Sequence, residues 1–251
     1  MNRRDLWKRK LRELSTDVLK SDVELRHGVS YVTISTIAEQ YYCEAKVDLE
    51  YTYGEIPSII KEEGMKLHEE IFKAEKIGME ELIRSIERKP VCICSFPVYT
   101  KIDGVTIAGK PDAIVFHNST PKYLIELKTT ARNLWKVWPD ERVQIRAYAL
   151  ALDDMGFDCN NLSLIILKAK RNLNIEYIQK LSKLILIIGI HEKYPYLLSK
   201  ILKEKKIELA IHSDKYNREK ALKEISWALK YWLKRRDPIP TSKPGKCKAC
   251  E

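Results

Sequence analysis

The chain predicts a mixed α/β (α+β) fold, a central mixed β-sheet flanked by helices, on three observations. Short apolar, β-branched runs alternate with turn residues from residue 91 to residue 128. A helical pattern over residues 137–155 is then followed by the continuous hydrophobic run of residues 162–167, which reads as a buried strand. Strand, helix, strand at that spacing implies a right-handed crossover within one sheet.

Taken in order, residues 3–20 have helical spacing, with Leu6, Leu11, Leu14 and Val18 among basic neighbours. Ser35 is placed to cap a helix carrying Ile37, Ala38, Tyr41, Tyr42 and Ala45, with Cys43 in its middle. Residues 62–88 read as one or two helices broken near Gly78, and Pro90 ends them. A strand with Cys92 and Cys94 on one face follows, two packing residues rather than a metal knuckle. Asp103 and Gly104 form a hairpin turn. Residues 113–116 and 123–127 form a second hairpin across Asn118, Ser119 and Pro121, so residues 91–128 are expected to form one antiparallel meander of about four strands.

Residues 172–205 read as an inserted helical pair, after which residues 207–211 resume the sheet. Residues 217–236 form an amphipathic helix containing Trp227, Tyr231 and Trp232. An extended, proline-rich tail then leads to Cys247-x-x-Cys250. The expected organisation is an N-terminal helix (residues 1–29), one domain (30–236) and this cysteine-bearing tail (237–251).

Composition narrows the function classes. Of 251 residues, 45% are hydrophobic, enough for a sizeable core, and the net charge of +10 favours a polyanionic partner, nucleic acid first. The longest apolar run, residues 184–190, is too short to span a bilayer, and the basic N-terminus lacks the apolar stretch of a signal peptide. A cytoplasmic protein is expected, in which six cysteines serve as thiols or metal ligands rather than as a disulfide framework.

The chemistry concentrates in residues 107–128. Glu126 and Lys128 are two residues apart and share one face of a strand, while Leu127 points to the other. Asp112 begins the neighbouring strand, so a hairpin brings two carboxylates and an ammonium together. Oxygen donors of this kind suit Mg²⁺ or Mn²⁺, and a lysine beside them would orient or help deprotonate an attacking water. Upstream, Gly64 precedes His68 by one helical turn; downstream, Gln144 and Tyr148 lie four apart on one helix face. Tyr41, Tyr42, Trp135 and Trp138 are candidates for base stacking, with core packing as the alternative.

The ordered set Gly64-x-x-x-His68, Gly109-x-x-Asp112, Glu126-x-Lys128 and Gln144-x-x-x-Tyr148 resembles the RecB-like branch of the PD-(D/E)XK nuclease superfamily, over roughly residues 30–170. The resemblance implies a restriction-endonuclease-like core and a Mg²⁺- or Mn²⁺-dependent DNA exonuclease or end-trimming nuclease. His68, Asp112, Glu126 and the backbone carbonyl of Leu127 would hold the metal. Lys128 would position the water, with Gln144 and Tyr148 bracing the site. Cys43 with Cys247 and Cys250 is similar to the CRISPR-associated RecB-family exonucleases, which carry a four-cysteine [4Fe–4S] cluster. Of the trailing cysteines two are present, and a fourth ligand is not found up to Glu251; Cys92, Cys94 and Cys159 are the other thiols, and zinc is the other metal that Cys-x-x-Cys suggests.

The partners so implied are DNA, single-stranded or with single-stranded ends, and other CRISPR adaptation proteins, with a role in spacer acquisition and no membrane association. Two alternatives stand beside this: a stand-alone or mobile-element RecB-like repair nuclease, and a catalytically silent DNA-binding assembly subunit.

Overall fold

The structure, a computed structural model, describes residues 3–14, 19–54, 78–130, 133–170 and 209–248. The chain runs α1 (Arg3–Glu13), a 3-10 turn (Arg26–Gly28), β1 (Val32–Thr33), α2 (Ile34–Tyr53), α3 (Met79–Arg88) and β2 (Val91–Cys94). It continues through β3 (Val98–Ile102), β4 (Val105–Gly109), β5 (Ala113–His117), β6 (Thr120–Thr130) and α4 (Pro139–Asp154). It closes with β7 (Ser163–Lys170), β8 (Leu209–Lys215), α5 (Arg218–Trp232) and α6 (Pro244–Lys248).

Two mixed sheets flanked by helices make up the fold, consistent with a restriction-endonuclease-like α/β core. The larger has the order β2-β5-β6-β7-β8, the smaller β1-β4-β3. The expected meander is therefore divided. β2 pairs with β5, and the β3–β4 hairpin leaves for the small sheet. Both expected turns are present, with positive φ at Asp103 (50°) and Gly104 (76°) and at Asn118 (46°) and Ser119 (65°). Left-handed backbone at both central residues matches the twist of the strands they join.

β6 pairs antiparallel with β5 and parallel with β7, with α4 as the crossover between β6 and β7. β8 then returns antiparallel to β7, and the strand expected near residues 207–211 continues to Lys215, with residues 207 and 208 outside the described residues. The inserted helical pair of residues 172–205 lies outside the described residues.

α4 is the central helix. It is buried from Val143 to Leu152 and packs against α2, α5 and strands of both sheets. A helix buried on nearly all sides needs small residues where backbones approach, and Ala147, Ala149 and Ala151 supply them at 0% exposure. Alternation along β6 sends Leu124 into the cluster beneath α2, α4 and α5. Tyr123, Ile125 and Leu127 go into a second cluster on the opposite face, with Ile165, Leu167 and Ile211.

Two local expectations are corrected. α2 is capped by Thr33, whose hydroxyl accepts the Thr36 N–H at 3.0 Å, rather than by Ser35. Cys43 does not sit in regular helix: its backbone is extended (φ −164°, ψ 111°) and interrupts α2. Cys92 and Cys94 are buried packing residues, as expected. Among the described residues, no helix is long and apolar enough to cross a membrane.

Candidate functional site

β6 presents Glu126 and Lys128 on the face covered by α4, and the β5–β6 register places Asp112 just beyond the pair Ala113–Ile125. Asp112 Oδ2 accepts the Leu127 N–H at 2.7 Å, which fixes that carboxylate against the edge of β6. Glu126 is 3% exposed, and its Oε1 receives the Lys128 ammonium at 2.9 Å. The same ammonium donates to Gln144 Oε1 at 2.6 Å, and Gln144 Nε2 donates to the Tyr148 hydroxyl at 3.3 Å. The structure thus brings together Asp112, Glu126, Leu127, Lys128, Gln144 and Tyr148. His68 lies outside the described residues.

The charges of the site act on one another. Burial pulls the Lys128 ammonium down, but the charge and hydrogen bond of Glu126, with Asp112 and Glu141 behind, carry it above its ordinary value. Lys128 is therefore a cation at neutral pH. Tyr148 is raised above the usual phenol range, first by burial and then by the Glu126 and Asp112 charges, against hydrogen bonds from Gln144 and Ser35. It stays a neutral hydroxyl.

Gly109 shows why a glycine precedes Asp112 by three. A Cβ there would lie 2.8 Å from Tyr148 Cε1 and 3.0 Å from Ile34 Cβ. The end of β4 can pass beneath the tyrosine ring only without a side chain.

One charged pair beside the site escaped the sequence reading. Lys168 is the register partner of Lys128 on β7 and is fully buried. Its ammonium meets Glu141 Oε1 at 2.6 Å and the Lys136 carbonyl at 2.8 Å, while Glu141 Oε2 accepts the Trp138 N–H at 2.9 Å. The signal was a lysine closing a hydrophobic strand and a glutamate in the first turn after Pro139. Separately, each reads as a strand end and a helix start.

The donor set fits a hard divalent cation. A carboxylate just before β5, a buried one on β6, and the Leu127 carbonyl between Glu126 and Lys128 offer oxygen only. Among the described residues, no cluster of three or more histidine, cysteine or acidic side chains is disposed around a metal position.

The cysteine-bearing end lies against the break in α2. Lys246 donates to the Tyr42 carbonyl at 2.7 Å and reaches the Tyr41 carbonyl at 3.5 Å, its ammonium 4.3 Å from the centre of the Tyr42 ring. Extended backbone at Cys43 disrupts the helical bonding of nearby carbonyls, and the lysine takes up part of it. Half-buried Cys43 and exposed Cys247 are thus each one residue from this contact; Cys250 lies outside the described residues. The tail is clamped upstream as well. Arg236 binds both oxygens of fully buried Glu44, whose Oε2 also accepts the Ile239 N–H at 2.9 Å.

The aromatic candidates divide. Tyr41 is committed to packing, its ring 5.0 Å from Trp227 and its hydroxyl donating to the Glu224 carbonyl at 2.8 Å. Tyr42 serves the tail contact. Trp138 lies under the Lys136 ammonium at 4.3 Å, and Trp135 remains 40% exposed.

No family model matches the sequence, and no curated protein matches it. Among solved structures, the chain is similar to the crystal structure of SSO0001, at 14% identity over 98% of this chain and 91% of that one, with a TM-score of 0.44. It is also similar to an alkaline exonuclease, LHK-Exo, from Laribacter hongkongensis, at 14% identity over 79% of this chain and 86% of that one, with a TM-score of 0.37. At that level of overlap, any functional reading rests on the site's own geometry.

Proposed function

We propose that this chain is a metal-dependent DNA nuclease of the RecB-like PD-(D/E)XK type, acting as an exonuclease or end-trimming enzyme. The observation that carries the reading is the joined set at the edge of β6. Asp112 is fixed by the Leu127 N–H, and Glu126, Lys128, Gln144 and Tyr148 are linked in one hydrogen-bonded line. Asp112, Glu126 and the Leu127 carbonyl would hold Mg²⁺ or Mn²⁺, with His68 as the further ligand that the resemblance implies. Once bound, the cation would offset charge on the scissile phosphate.

Lys128 holds its proton at Nζ and would hand hydrogen bonds from Glu126 and Gln144 to the attacking water and a phosphate oxygen. Gln144 fixes the lysine's direction, and Tyr148 fixes Gln144. A net charge of +10 supplies the sequence-independent attraction to DNA that such chemistry needs.

In its finer form, the reading makes the protein a CRISPR-associated trimming nuclease of spacer acquisition, with a [4Fe–4S] cluster on Cys43, Cys247 and Cys250. What supports the cluster is that the tail reaches α2 at the residue beside Cys43. Docked thiols would be joined across some two hundred residues of chain, a loop whose closing entropy ligation would offset. A repair or mobile-element nuclease with the same site is the alternative.

Calorimetric Mn²⁺ titration tests the centre: binding should be lost in Asp112→Ala and Glu126→Ala, and wild-type affinity in both would remove the assignment. For the cluster, protein purified without oxygen should be brown and hold iron, and Cys43→Ala should bleach it. Colourless, iron-free wild-type protein would reduce these residues to thiols.

A further inference from the structure

On the other flank of α4 from Gln144 and Tyr148 lies an open groove of about 560 Å³, which the hydrolytic site does not use. Its lining is apolar at Ile145, Leu164 and Ile166, which share the cluster beneath α4, and it also includes Trp135. We propose that this groove receives one unpaired nucleobase of the substrate strand, stacked on Trp135, with Lys136 and Arg142 meeting the flanking phosphates. The inference rests on the nuclease reading and deepens it, by placing single-stranded substrate beyond the scissile phosphate.

Three observations carry it. The first is position. Glu126, Ile166 and His212 form one row across β6, β7 and β8. At roughly 4.8 Å per strand, His212 in the groove lies about 10 Å from the candidate carboxylate. A nucleotide near the one being cut would reach it around the N-terminal end of α4.

The second is surface chemistry. Trp135 belongs to the groove lining and is 40% exposed; an exposed indole offers a flat face to any base. A volume of this order is typical of sites for small flat ligands.

The third is charge. Of the groove's cations, Arg146 is engaged with Asp214 at 3.0 Å and Glu224 at 2.6 Å, which also offsets the one carboxylate in the lining. Lys136 and Arg142 are exposed beside the groove, and their charges complement a phosphate backbone. His212 Nε2 donates to the Leu134 carbonyl at 2.7 Å, and burial holds the imidazole below its ordinary value.

The test is equilibrium binding of a fluorescent oligothymidylate, followed by anisotropy in EDTA so that no cleavage occurs, with a single abasic position moved stepwise from the end. One abasic position should weaken wild-type binding by roughly 5- to 150-fold, the range of a lost base–aromatic stack. Trp135→Ala should lose the same factor on the intact strand and nothing further on that abasic strand, while Trp135→Phe keeps most of the affinity. Arg142→Ala should reduce the slope of log affinity against log salt by about 0.7.

Equal binding by wild type and Trp135→Ala, or a loss that adds to every abasic position, overturns the groove assignment and leaves the nuclease reading standing. A Trp135→Ala change in sedimentation with DNA affinity unaltered would give the groove to a second copy of the chain instead. Wild-type protein that binds no single-stranded DNA also overturns the groove assignment, and the nuclease reading is then decided by metal-dependent cleavage.

Discussion

Replacing Glu44 by alanine should release the C-terminal tail and cost more stability than any single surface change. Glu44 is fully buried in α2, one residue after the break at Cys43. It accepts both guanidinium nitrogens of Arg236, the Ile239 N–H at 2.9 Å and Gln40 Nε2 at 2.7 Å. Alanine leaves Arg236 without its counter-charge in a site where its guanidinium also lies 4.4 Å from the centre of the Trp227 ring. Breaking a buried pair from one side costs about 3–5 kcal/mol. For a chain of this length that corresponds to a melting temperature lower by about 10 °C.

The assay is urea denaturation, paired with limited trypsin digestion at Lys246, where cutting should accelerate in Glu44→Ala. The double variant Glu44→Met with Arg236→Met removes both charges together and should recover most of the loss. A loss below about 1 kcal/mol in Glu44→Ala, the range of an exposed pair, would refute the clamp. So would a double variant no better than the single one.

Gly109→Ala should cost about 1–3 kcal/mol by overpacking. It should also slow cleavage through displacement of Tyr148, read from the urea midpoint and the turnover number together; a variant matching wild type in both would contradict the contact. Lys128→Ala should keep Mn²⁺ affinity in calorimetry while turnover falls by about a hundredfold or more, since the ammonium acts on water and phosphate. Lost metal binding with turnover intact would reverse that role. His212 is lowered, chiefly by burial, so the folded state binds its proton less readily than the unfolded chain. Its contribution is then complete above the unfolded value of about 6.5 and declines as pH falls through the folded value. Urea midpoints between pH 7.5 and 5 should fall less in His212→Gln than in wild type.

Much of this architecture was legible because its signals are local. Asp103-Gly104 and Asn118-Ser119 mark their turns by residue type, and alternation in β6 by itself puts Glu126 and Lys128 on one face. The spacing of Gln144 and Tyr148 likewise predicts one helix face, and both meet the Lys128 line. Gly109 was legible as a motif, though the ring that requires it became visible only with α4 packed on β4.

What escaped depends on partners distant in sequence. Period-two patterning gives no reason for β2 to choose β5 over β3, so the meander divided unannounced. Neither proline nor glycine marks the break at Cys43, whose freed carbonyls find Lys246 some two hundred residues later. Lys168 and Glu141 are each unremarkable until the fold buries them against each other. Between Thr33 and Ser35 as the cap of α2, two hydroxyl residues two positions apart, the sequence offered no decisive difference.

The most direct measurement of the central claim is cleavage of end-labelled single- and double-stranded DNA by wild-type protein and by Asp112→Ala, with Mg²⁺, with Mn²⁺ and with EDTA. Progressive shortening by the wild type is expected with either metal, none in EDTA, and none by Asp112→Ala. Cleavage that persists in EDTA, or an Asp112→Ala variant that cuts at the wild-type rate, would contradict it.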